Sequence, residues 1–87
     1  MPYIRQEDRK KWERTIDCIV NTIEELPVEE IDGNMNYLIT SIIKKVYPQR
    51  YFNFNRALGM LEAVRAEYYR RVVAPYEDEK ERINGTV

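Results

Sequence analysis

Apolar residues return three and four apart from Arg5 to Leu26, at Trp12, Ile16, Ile19, Val20, Ile23 and Leu26, which predicts an amphipathic helix with one apolar stripe. Pro27 stops it. The turn-forming run Asp32-Gly33-Asn34 then leads into a second helix to about Tyr47, with Met35, Leu38, Ile39, Ile42, Ile43 and Val46 on its buried side. Pro48 closes that one. A short connection, with Asn53 or Asn55 as the cap, opens a third helix that the rule for residues preceding proline ends at Ala74. A last short helix begins at Pro75, carries Glu77, Asp78 and Glu79 in its first turn, and ends at Asn84-Gly85. The expected fold is all-α: a compact helical bundle of three main helices plus a short C-terminal helix, in one domain over residues 1–87.

The third helix has two unlike sides. At about 100° per residue, Leu58, Leu61, Val64, Tyr68 and Val72 form the expected core stripe. Gly59, Ala63 and Ala66 fall nearly opposite, between Arg56 and Arg70. Small residues there let another backbone or a flat ligand come close. Alanine is also a good helix former, but Gly59 has no such excuse, because glycine costs about 1 kcal/mol inside a helix. A chain of 87 residues gains from burying a second face, so Gly59, Ala63 and Ala66 are the candidate contact of a homo-oligomer.

Composition fits a folded helical protein: 44% hydrophobic, 33% charged, few Gly and Pro. No stretch approaches the roughly 20 apolar residues of a membrane span, and no signal-peptide pattern follows the charged start, so a cytoplasmic location and no membrane partner are expected. The net charge of -1 hides a segregation: residues 15–43 hold six acidic side chains and no Lys or Arg, whereas residues 44–71 carry a net +5 together with Tyr47, Tyr51, Phe52, Phe54, Tyr68 and Tyr69. Basic plus aromatic suits a ligand that bears phosphates and bases. The plainer reading is solvated helix faces, with acidic and basic stretches lying against each other.

Catalytic chemistry is poorly provided for. There is no histidine, Cys18 and Ser41 have no evident partner base, and the carboxylate pairs Glu24-Glu25 and Glu29-Glu30 point in different directions on a helix. No phosphate loop, dinucleotide fingerprint or calcium loop occurs, and the chain is expected to hold something without transforming it, with no cofactor and no metal. Cys18 reads as a small residue of the core or its edge. Asn36, Tyr37 and Thr40 share the polar side of the second helix and are able to supply hydrogen bonds to base edges. Slight net acidity and the lack of a continuous basic stripe make a long nucleic acid a poorer ligand than a small nucleotide.

The candidate binding residues are Tyr51, Arg56, Tyr69, Arg70, Arg71 and Tyr76. Guanidinium forks take phosphate oxygens in pairs, and tyrosine rings stack on bases. The competing reading has the tyrosine stems packing and the arginines pairing with Glu77 to Glu81 across a turn at Pro75. Tyr69 and Arg71 diverge on a regular helix, so such a site needs Tyr76 folded back over it and further residues from a second subunit. Phe52 and Phe54 read as core or staple residues at the start of the third helix.

MPYIRQEDR at the start, GNMNYLITSII, YFNFNRALGMLEAVRAEYYRR and the ending APYEDEKERINGTV together resemble a family of short helical proteins, formerly uncharacterised, found in phages and in bacterial and archaeal genomes. The likeness covers nearly the whole chain, and the ending Gly85-Thr86 departs from the family's usual acidic residue after the glycine. A looser likeness links such proteins to the phage anti-CBASS sponges, which sequester cyclic oligonucleotide signals of bacterial antiphage immunity. That likeness implies binding of a cyclic dinucleotide or related signal without hydrolysis, in a symmetric oligomer. The alternative is a module that blocks or scaffolds a host protein through the same tyrosine and arginine patch.

Overall fold

Two connections, residues 25–27 and 47–50, separate the helices of the computed structural model, which describes residues 3–86. Helix α1 runs Gln6–Glu24, α2 Val28–Val46, α3 Tyr51–Tyr68 and α4 Ala74–Asn84; a π-helical turn, Tyr69–Val73, joins α3 to α4 without a break. No strand occurs among the described residues, so the all-α expectation holds. Met1 and Pro2, part of the opening motif, and Val87 lie outside the described residues. The chain divides into two units, one ending at Val46 and one beginning at Tyr47.

In the first unit, α1 ends three residues before Pro27, with the Leu26 N–H donating to the Ile23 carbonyl at 3.0 Å. Helix α2 begins at once, earlier than the turn signals suggest. Asp32, Gly33 and Asn34 lie inside it and make no turn. Glu29 and Glu30 in the first turn favour the helix N-terminus, the Glu30 N–H donates to the Pro27 carbonyl at 2.9 Å, and the Asn34 side-chain amide donates back to the Glu30 carbonyl at 2.8 Å. Local turn preference is outweighed by the helix on both sides. The two helices form a hairpin around an open apolar groove of about 300 Å³, lined by Ile16, Ile19, Val20, Ile23 and Glu24 of α1 and Met35 of α2.

In the second unit, Arg50 is the extended residue before α3, and no side chain caps the helix. The proposed caps fail because α3 starts at Tyr51, which puts Asn53 and Asn55 inside it. Asn53 instead accepts a hydrogen bond from Arg56. The larger correction is at Pro75. Proline removes a helical N–H and its ring crowds the carbonyl four residues back, which ordinarily kinks or ends a helix. Here the Ala74 N–H reaches back five residues to the Tyr69 carbonyl, and the widened turn lets Pro75 enter the second position of α4. Residues Tyr51 to Asn84 therefore form one continuous helix about 50 Å long. It stops at Gly85, whose φ of 86° suits glycine.

Few side chains are buried. Ala57, 7% exposed, is the one residue classed as buried among those described. The expected core stripe on α3 is largely open at Leu58, Val64, Tyr68 and Val72, and Phe52 and Phe54 are open too. Cys18 is likewise exposed. Apolar residues fall all round α3 and do not form a single stripe.

Candidate functional site

The six candidate binding residues fall into separate groups on the continuous helix. Tyr51 and Arg56 belong to its start. The Arg56 guanidinium lies 5.2 Å from the Tyr47 ring centre and 5.8 Å from that of Phe52, and its Nη1 donates to Asn53 Oδ1 at 2.9 Å. Two aromatic faces and an amide thus fix its direction. Tyr51, five residues earlier in the helix, is 78% exposed.

Arg70 and Arg71 lie 14 and 15 residues further on, about 21 Å along the helix by its rise. One chain's helix therefore does not bring Arg56 and Arg70 to a common ligand. Adjacent arginines also point about 100° apart on a regular helix, yet these two meet at Glu67. Arg70 Nη2 lies 3.0 Å from Glu67 Oε2, and Arg71 Nε lies 3.0 Å from Glu67 Oε1. Both bonds go to the glutamate one turn earlier, at the three- and four-residue spacings that face each other.

Tyr69 is the residue that reaches across Pro75. Its hydroxyl donates to Glu77 Oε1 at 2.5 Å. Eight residues along an uninterrupted α-helix leave two side chains about 80° apart, and the extra residue taken up by the π-turn brings both to one face. The Glu77 hydrogen bond, then its charge, raise the Tyr69 phenol above its usual pKa, with lesser help from desolvation and Asp78. Tyr76 does not fold back over this place, because α4 continues the helix. Its ring lies instead 5.6 Å from Lys80 Nζ. Beside it an open groove of about 460 Å³ runs toward Thr86, with Glu77, Asp78, Lys80 and Glu81 on its walls.

On α2, Thr40 Oγ1 donates to Asn36 Oδ1 at 3.3 Å, and Tyr37 is exposed. Gly59 and Ala66 are exposed on α3, Ala63 is half-buried, and a Cβ added at Gly59 meets nothing within 4 Å. Among the described residues, no group of three His, Cys, Asp or Glu side chains is arranged to hold a metal ion, and no helix is long and apolar enough to cross a membrane. The partners that sequence reasoning missed are Glu67, Glu77 and Tyr47. Glu67 was readable from its spacing to the arginines; Glu77 was not, since its alignment with Tyr69 depends on the π-turn.

The family model described as a domain of unknown function (DUF6899) matches residues 1–87. The chain belongs to this family. The match extends over the acidic hairpin and the long tyrosine- and arginine-bearing helix alike, so both are parts of one family domain. No curated protein and no solved structure is similar enough to this member of the DUF6899 family to match it.

Proposed function

We propose that the protein is a non-catalytic, self-associating binding protein that captures a cyclic oligonucleotide signal of antiphage immunity and holds it unchanged. The observation that carries this reading is the convergence of Arg70 and Arg71 on Glu67, with Tyr69 next to them in the sequence. Two guanidinium groups at one place suit a phosphodiester, which takes the position that Glu67 shares with them, and the Tyr69 and Tyr76 rings lie on the same stretch to stack on bases. Charge-assisted contacts of this kind contribute about 1.5–3 kcal/mol each, enough to retain a small ligand when several act together. Arg56 and Tyr51 stand too far along the helix to join this site within one chain, so any part they take comes from a second copy.

The test is a panel of cyclic di- and trinucleotides, scored by thermal shift, with the bound nucleotide recovered after denaturing the complex. Capture predicts a shift that grows with the logarithm of ligand excess, and recovery of intact nucleotide. A linear product in excess over protein contradicts it. A second reading, a module that blocks a host protein, is favoured by the exposure of Tyr51, Phe52 and Leu58 on the first turns of α3, since aromatic and arginine side chains dominate protein interfaces. Absence of any shift across the panel would move the reading there.

A further inference from the structure

The apolar groove between α1 and α2 has an acidic edge. Glu24 lines it, Asp17 lies on the same flank of α1, and residues 15–43 contain no Lys or Arg at all. Two such grooves facing each other would bring together two segments that each carry a net charge of -6, with Glu24 at both edges, so a second hairpin is a poor cover for it. The matching surface is on α3. Phe52, Arg56, Gly59, Ala63 and Ala66 fall within about 80° of arc on that helix. Phe52 is 71% exposed, and space is open over Gly59. Arg56 is held by Tyr47, Phe52 and Asn53, with no carboxylate in salt-bridge range among the described residues; Glu24 likewise has no cation there.

We infer that the α1–α2 groove is the seat for the Phe52–Arg56–Gly59 face of α3 from a second copy of the chain. An apolar cavity of about 150 Å³ holds a benzene ring, so a groove of about 300 Å³ admits the Phe52 side chain. Gly59 and the two alanines let the helix backbone approach the hairpin closely, and Arg56 meets the Glu24 edge. The +5 of residues 44–71 then lies against the -6 of residues 15–43. In a two-fold dimer the contact is made twice, each copy giving a groove and a helix face. This deepens the self-association in the proposed function and does not depend on any nucleotide.

The experiment uses Arg56→Glu and Glu24→Arg in the full chain, followed by light scattering and native mass spectrometry without nucleotide, with circular dichroism to confirm helical content. The parent is expected to assemble. Each variant alone places like charges together at both contacts and should weaken assembly by about tenfold or more. An equimolar mixture of the two should recover it, because every contact in the mixed dimer is again Arg with Glu. A parent that stays monomeric overturns both this contact and self-association. If both variants assemble as tightly as the parent, this surface is wrong while self-association stands. Recovery only when both substitutions are in one chain, and not in the mixture, would make the contact intramolecular and overturn the inference.

Discussion

Tyr69 shows most clearly what a single side chain adds. Its hydroxyl donates to the Glu77 carboxylate, and that bond with the adjacent negative charge holds the phenol proton on. The folded pKa lies above the unfolded value of about 10, so the stability this bond contributes is present below pH 10 and is lost as pH rises through the higher folded value. Ultraviolet titration of the parent against Tyr69→Phe should therefore assign the missing transition to a tyrosine that ionises above the others. A missing transition at or below the ordinary value would contradict the bond. The carboxylates of Glu62 and Glu79 are shifted the opposite way, held below their usual range by hydrogen bonds from Arg65 and Arg82. Both pairs are solvent-exposed and are of small consequence. The clustering of tyrosine and arginine was legible in the sequence because it is a matter of composition within a few residues. The partner of each was not: a local rule gives Glu67 to Arg70 and Arg71, whereas only the shape of the turn gives Glu77 to Tyr69.

At the scale of the element, the helices of the first unit were readable from their apolar spacing, and the ends set by Pro27 and Gly85 fell where proline and glycine chemistry puts them. Asp32-Gly33-Asn34 misled because a turn signal is local, while a helix that begins at Val28 with acidic residues in its first turn continues through it. Pro75 misled for a different reason. The rule that proline ends a helix assumes α-helical hydrogen bonding, and the π-turn evades it by moving one bond from the fourth residue back to the fifth. If Pro75 is what maintains that turn, Pro75→Ala should let the α-helical register return. The variant should be more stable by about 1–3 kcal/mol, the cost of proline in a helix interior. Tyr69 should at the same time swing off Glu77 and titrate near its ordinary value. Unchanged stability together with an unchanged Tyr69 titration would show that the turn is maintained by something else.

At the scale of the whole molecule, the exposed apolar side chains matter most. Trp12, Ile16, Leu58, Val64 and Val72 are each about half or more exposed, and burying such a side chain is worth about 1.5–3 kcal/mol. The apolar positions were legible in the sequence and their exposure was not, because periodicity identifies a face and not its partner. Gly59→Leu tests the proposed self-association apart from the fold of one chain. Removing a helical glycine favours the helix by about 1 kcal/mol, so helical content should hold or rise. The same side chain fills the open space over α3 and should block assembly. Retained assembly would exclude that face. The central claim is that Arg70 and Arg71 hold the phosphates of a nucleotide that the protein does not consume, and titration calorimetry with the panel's best nucleotide tests it most directly. The account predicts that a folded, correctly assembled Arg70→Ala, Arg71→Ala variant binds at least about 100-fold more weakly than the parent, the loss of two charge-assisted contacts. Equal affinity in the two proteins would contradict it.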